Sequence, residues 1–241
     1  VMNETAQWMF IAVAVMSLFM VVRHTRTEEE TERAELVRAA PVGRHAALAS
    51  AMIGALVVNA AIAAGNVVAL LAFGLPAAGS FAFGASMAGA GMVFAAVAAV
   101  TAQIASGSRA ALAIGGLVIG VAFVLRAIGD VGNGVLSWAS PIGWAQSIRP
   151  YAGERWWVLL LPVVATMVLV LAARALQDHR DYGSGLVAQR GGRAEAPERL
   201  SSSLGLAVRL QRGSLVGWAV GLGSLAFFYG LFADQAEQMI E

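Results

Sequence analysis

Six apolar runs, most of them close to the length of a membrane-crossing helix, leave this chain little choice of solvent. They cover roughly residues 6–22, 46–74, 81–105, 110–129, 156–176 and 214–233. A helix of about 20 apolar residues crosses the hydrocarbon core of a bilayer. Runs of that length lack the polar stripe that a helix on a soluble domain turns to water. The expected fold class is all-α, a polytopic transmembrane helical bundle with six spans. Composition agrees: the chain is 59% hydrophobic and 13% charged, where a soluble domain averages about a quarter charged. The second run is long enough to tilt or to extend beyond the bilayer, with Gly54 and Gly65 as candidate kink points.

Two absences narrow the chemistry. With no cysteine there are no disulfides, thiolate nucleophiles or Cys-ligated metals. All sixteen basic residues are arginine, so neither a P-loop lysine nor a Schiff-base lysine exists in this sequence. ATP hydrolysis by a P-loop would have to come from another chain.

Arginines set the orientation. The 23–45 loop carries Arg23, Arg26, Arg33, Arg38 and Arg44, the turn near 106–109 carries Arg109, and the 174–213 segment carries seven more. On the opposite side only Arg149 and Arg155 appear, both in the 130–155 loop. The bias of thirteen to two alternates correctly for six crossings and predicts a plasma-membrane protein with both ends of the chain outside. The first run begins after only five residues, and the chain stops eight residues past the sixth. Both features suggest part of a longer polypeptide. Residues 1–22 make a poor secretory signal, because Glu4 makes the leading region acidic and no small-residue cleavage site follows.

The loop after the first run is the richest segment. Thr27 and Glu30 form a T-x-x-E capping box, which predicts a helix start. Glu28, Glu29 and Glu30 would then occupy the first turn, where the helix dipole favours carboxylates. Glu29 with Arg33, and Glu35 with Arg38, have the spacing of helical ion pairs, and Pro41 and Gly43 end the segment. The expectation is a short charged helix over 26–40, lying between two spans. It is either a solvated loop helix or a dock for a cytosolic partner, whose polar rim would set register and specificity.

Three stretches carry a resemblance. RTEEETERAEL (26–36) with the Pro-Val-Gly-Arg of 41–44 resembles the signature after the second membrane helix of actinobacterial type-2 ABC permeases of the polyketide-antibiotic, tetronasin-like exporters. LSWASPIGWAQSIRPYAGERWWVLLLP (136–162) is similar to that family's outer loop before its sixth helix, and LQRGSLVGWAVGL (210–222) to the opening of its second half. Glu32 stands where the family commonly has a small residue. The resemblance implies a permease of about twelve helices in two halves. Residues 1–176 would be helices two to six of the first half, 177–212 a cytoplasmic connector, and 213–241 the first helix of the second half. It further implies that Thr27, Glu28, Glu29, Glu30, Arg33, Glu35 and Leu36 couple to cytosolic ABC ATPase subunits, which would hold ATP and Mg. The remaining permease helices would be partners too, and the cargo would be hydrophobic or amphipathic small molecules. No cofactor or metal site is expected in this chain.

The 130–155 loop and the residues after it hold Trp138, Pro141, Trp144, Trp156 and Trp157. They suit an aromatic belt at the headgroup level, and the resemblance implies short re-entrant helices capping a pathway. Asn59 and Asn66 on the second run and Gln103 on the third are intramembrane polar groups, serving either interhelical hydrogen bonds or a pathway lining. Arg126 and Asp130, four residues apart, are expected to pair or to snorkel. Gly116-x-x-x-Gly120 and the set Gly84, Ala85, Ala88 and Gly89 are small-residue packing signals.

In the 177–212 connector four acids interleave with the arginines and no aromatic platform accompanies them, so nucleic acid is not an expected partner. The basic residues instead suit anionic headgroups of the lipid bilayer. His24, His45 and His179 stand at no metal-ligand spacing. An ion-gradient-driven transporter and a membrane-embedded enzyme are the alternative readings. The first is disfavoured by the lack of carboxylates deep in the spans, the second by the lack of a nucleophile–base pair.

Overall fold

The computed structural model describes residues 2–31, 43–132, 134–180, 185–186 and 202–238. All of its long elements are helices: α1 (Met2–Val22), α2 (Ala46–Ala72), α3 (Ala77–Ile104), α4 (Ser108–Val131), the short α5 (Pro141–Ser147), α6 (Leu160–Asp178) and α7 (Ser203–Gln238). Five of them are long and apolar enough to cross a membrane among the described residues, with the α1 span counted through Glu30. The sixth apolar run, 214–233, falls inside α7. Two compact units result, residues 1–189 and 190–241.

In the first unit α3 is the central helix. Of its most apolar window 61% is buried, against 17% for α2 and for α6. Its sequence explains the position, because alanines and glycines let neighbouring backbones come close. A Cβ at Gly84 would lie 2.6 Å from the Val67 side chain on α2, one at Gly91 would lie 1.8 Å from Asn59 Oδ1, and one at Gly89 would lie 3.1 Å from Pro162 on α6. Phe10, Val13, Ala14 and Leu18 of α1 close the same core. Gly115 on α4 receives Leu18, whose side chain lies 2.3 Å from where a Cβ would stand. By contrast, Gly116 and Gly120 have nothing within 4 Å, so the expected GxxxG contact is not made within the described residues.

The outward faces are apolar as well. Ile53, Leu56, Val57 and Val68 on α2, and Val163, Val164, Met167, Val168 and Leu171 on α6, are each more than half exposed. A continuous apolar surface of this extent needs lipid tails against it. The chain is a multi-pass α-helical membrane protein.

Several boundaries differ from the sequence reading for local reasons. Helix α3 starts at Ala77, not near 81, because Pro76 fixes its entry and the turn needs only residues 73–76. Helix α2 runs unbroken through Gly54 and Gly65. In the second unit, α7 begins ahead of the apolar run: Ser202 Oγ accepts the Gly205 amide at 3.1 Å and caps the helix, so 204–212 is its first part. At 36 residues α7 is about 54 Å long.

Candidate functional site

One end of the first unit, where residues 23–31, 43–46, 104–108, 177–180 and 185–186 meet, is charged; the other, around residues 134–160, is rich in tryptophan. The charged end is organised by the way α1 leaves the bundle. No new helix starts at Thr27. Helix α1 passes through a five-residue π-helical turn, Arg23–Thr27, into the helical turn Glu28–Glu30. Thr27 has helical dihedrals and makes no capping bond. The capping-box expectation is therefore overturned: an intact helix already supplies carbonyl partners for the amides that a cap would satisfy. Within the wide turn, the Thr25 hydroxyl donates to the Val21 carbonyl at 2.6 Å.

The turn aims Arg26 and Glu29 inward. Arg26 Nη1 donates to Glu29 Oε2 at 2.7 Å and Nη2 to the Ser106 carbonyl at 2.6 Å. Arg180, just past the end of α6, reaches the same carboxylate with both guanidinium arms, at 2.5 Å to Oε1 and 2.9 Å to Oε2. Its Nε donates to Gln103 Oε1 at 2.7 Å. The three charged side chains are buried, with Arg26 at 1%, Glu29 at 9% and Arg180 at 3% exposure. A buried charge cluster of this kind specifies geometry more than it adds stability, because desolvation offsets most of the attraction.

Glu30 points elsewhere. Its carboxylate accepts the Ser108 amide and the Ser108 hydroxyl, both at 2.6 Å, and so caps α4 from another helix. Gly107 leaves room for it, since a Cβ there would stand 2.7 Å from Glu30 Oε1. A second set of bonds ties the start of α2 to the end of α6. Arg44 Nη2 donates to the Gln177 carbonyl at 2.6 Å, Gln177 Nε2 returns a bond to the Arg44 carbonyl at 3.1 Å, and His45 lies 3.4 Å from Asp178. The end of every span in the unit is thus joined to another by polar bonds.

Of the residues expected to couple, Glu28 is partly exposed and lies beside His24 at 3.3 Å, Glu29 and Glu30 are held as described, and Arg33, Glu35 and Leu36 lie outside the described residues. Asn59 is buried and donates to Ser17 Oγ on α1 at 3.0 Å, while Asn66 donates to Ile62 O of its own helix at 2.9 Å. Gln103 is buried against Arg180. No group of three His, Cys, Asp or Glu able to hold a metal occurs among the described residues.

At the tryptophan end a short hairpin folds back: a tight turn at Leu136–Ala139, then α5 opening on Pro141. Trp144 Nε1 donates to the Trp138 carbonyl at 2.6 Å, and Trp138 stacks on Trp157 with ring centres 5.8 Å apart. Trp138, Trp156 and Trp157 remain substantially exposed, as a headgroup-level belt requires.

The sequence reading missed Arg180 as a site residue, and Gln7 and Gln146 as partners of Arg126. Arg180 sits in a polar segment, and its carboxylate partner is 151 positions away. Nothing local marks it.

A bundle whose spans are joined by charge at one end and capped by a folded-back hairpin at the other is the build of a multi-span membrane protein with two separately fastened ends. Residues 200–241 match the family described as the C-terminal domain of the multidrug efflux system permease Rv1217c. Over 210 residues the chain is 50% identical to the multidrug efflux system permease protein Rv1217c of Mycobacterium tuberculosis, a match covering 87% of this chain and 38% of that relative. The chain therefore spans well under half the length of the curated relative it resembles.

Proposed function

We propose that this chain is part of the membrane permease of an ATP-driven exporter, a transport component and not an enzyme. A separate cytosolic ATPase would bind ATP and Mg and act on the helical extension of α1. Both the similarity to a multidrug efflux permease and the resemblance to polyketide-antibiotic exporters support hydrophobic or amphipathic small molecules as cargo. The arginine bias supports a charged end in the cytoplasm and an N-terminal Met2 side outside.

One observation carries the reading. Helix α1 leaves the membrane without a break, and the first turns beyond it are fastened to α4 and to the end of α6. Force applied to residues 28–31 would reach a transmembrane helix directly, and would work against a small set of polar bonds. Glu29 is held inside the bundle and Glu30 is engaged at the start of α4, which leaves Glu28 to face a partner. In this reading Asn59 and Gln103 fix helices and do not line a pathway.

The test is to co-express the full-length protein with its ATPase, purify the complex, and measure drug-stimulated ATP hydrolysis. Replacing Glu28 and Arg33 together with alanine should lower stimulation or weaken co-purification while leaving thermal stability intact. Failure of the two proteins to co-purify, or full stimulation in the double variant, would refute the coupling role.

A further inference from the structure

The arginine bias that orients the chain has two exceptions, and the fold brings them together. Arg149 and Arg155 are the arginines of the 130–155 loop, on the side where positive charge is scarce. The Arg155 amide donates to the Ile148 carbonyl at 2.8 Å, which closes residues 148–155 into a ring. That bond puts the two arginine Cα atoms no more than about 8 Å apart, the summed length of the bonds between them. Both residues are exposed, and among the described residues neither guanidinium has a hydrogen bond or an ion pair. Arg126 at the same end is the contrast: it is buried, pairs with Asp130 at 2.5 Å and donates to Gln7 and Gln146. The described carboxylates of the loop are taken up as well, Asp130 by Arg126 and Ser137, and Glu154 by the Tyr151 amide at 3.2 Å.

Two like charges held this close repel each other, and the turn that holds them is strained. Arg149 and Tyr151 have φ of 55° and 63°, a region that is costly for residues other than glycine and that recurs at ligand clamps. From this arrangement we infer that Arg149 and Arg155 form a binding site for the phosphate of an anionic phospholipid. A guanidinium offers paired N–H donors that match phosphate oxygens, and two such groups can grip one phosphodiester.

The surroundings select a lipid over a free anion. Arg155 directly precedes Trp156 and Trp157, both exposed, and Trp138 stacks on Trp157 with ring centres 5.8 Å apart. Exposed Leu160, Val163 and Val164 continue from them along α6. Indoles mark the headgroup level, so the arginine pair stands where phosphates lie, with an apolar face for acyl chains beginning beside it. A zwitterionic headgroup brings its own cation to the same place and loses most of the attraction. An anionic one offsets the repulsion and bridges the two ends of the ring, so the turn is firmer in an anionic membrane. The inference stands apart from the transport reading, since it needs neither ATPase nor cargo.

Hydrogen exchange at residues 148–155 reads the site locally, in the full-length protein held in nanodiscs of phosphatidylglycerol or of phosphatidylcholine. Each arginine near an anionic surface is worth about fivefold, so exchange should be about 20-fold slower in phosphatidylglycerol. The difference should fall to about fivefold in Arg155→Gln and vanish when Arg149→Asn is added. Asparagine tolerates positive φ, so the double variant keeps the turn, and in phosphatidylcholine it should exchange no faster than the wild type. Arg155→Gln alone decides the matter where the double variant loosens the turn. Arg174→Gln, which removes an exposed arginine at the charged end of α6, should leave the difference intact. Equal exchange of the wild type in the two lipids, a difference that survives loss of Arg155, or an equal loss in Arg174→Gln would overturn the inference. So would glycerol phosphate slowing exchange as strongly in phosphatidylcholine, because the site would then take the free anion.

Discussion

Glu29→Gln is the most informative single change in the charged end. The neutral side chain keeps its shape but faces two buried guanidinium groups, Arg26 at 2.7 Å and Arg180 at 2.5 Å. Removing one partner of a buried ion pair costs about 3–5 kcal/mol, mostly from the charge left without compensation. The lower end applies, because Glu28 and Thr31 beside it are open to water and water can enter once the pair is lost. About 3 kcal/mol at 1.4 kcal/mol per tenfold change corresponds to roughly a 100-fold shift in the opening of the cluster. The probe is Ala105→Cys, 3% exposed and next to Ser106, whose carbonyl accepts from Arg26. Its reaction with a charged maleimide should quicken about 100-fold in Glu29→Gln. Replacing the whole triad with apolar residues (Arg26→Met, Glu29→Leu, Arg180→Met) should restore slow labelling, since no charge is then left unpaired. A rise below about threefold in Glu29→Gln would show that the cluster does not hold this end closed.

Three further changes test other joints. Gly91→Ala places a methyl group 1.8 Å from Asn59 Oδ1 and 2.7 Å from Val13, and should lower stability by about 1–3 kcal/mol in a thermal or denaturant assay of the purified protein. Ser108→Ala removes half of the cross-helix cap made by Glu30 and should cost about 1 kcal/mol, seen as faster hydrogen exchange in the first turn of α4. At the tryptophan end, Arg149 and Tyr151 adopt positive φ of 55° and 63°, a strained backbone held by the Tyr151 ring over Gly79 and by its hydroxyl beside Ser80 Oγ at 3.0 Å. Gly79→Ala would displace that ring and should raise exchange and proteolysis across residues 148–155, whereas Tyr151→Phe should cost only about 1 kcal/mol.

The spans were legible in the sequence because lipid imposes a length and a composition on any helix that crosses it, and runs such as 46–74 and 110–129 meet both. Loop chemistry was less legible. The motif at Thr27 and Glu30 is a good cap in isolation, but it follows a helix that has no reason to stop: nothing between Phe10 and Glu30 is proline or glycine. Arg126 with Asp130 could be paired from their spacing on one helix, while Gln7 and Gln146 could not, because contacts across 119 and 20 positions depend on the packing of the bundle. Arg180 was hidden for the same reason. The 177–212 stretch read as a connector, yet Ser202 within it caps α7, a role visible only once the helix start is known.

The central claim is that the charged end passes motion from an ATPase to α1. The most direct measurement follows the Ala105→Cys probe in the assembled complex, with and without a non-hydrolysable ATP analogue. The account predicts that nucleotide changes the labelling rate several-fold, and that the change disappears in the Glu28→Ala, Arg33→Ala double variant. A rate indifferent to nucleotide, in a complex that still binds and hydrolyses ATP, would contradict it.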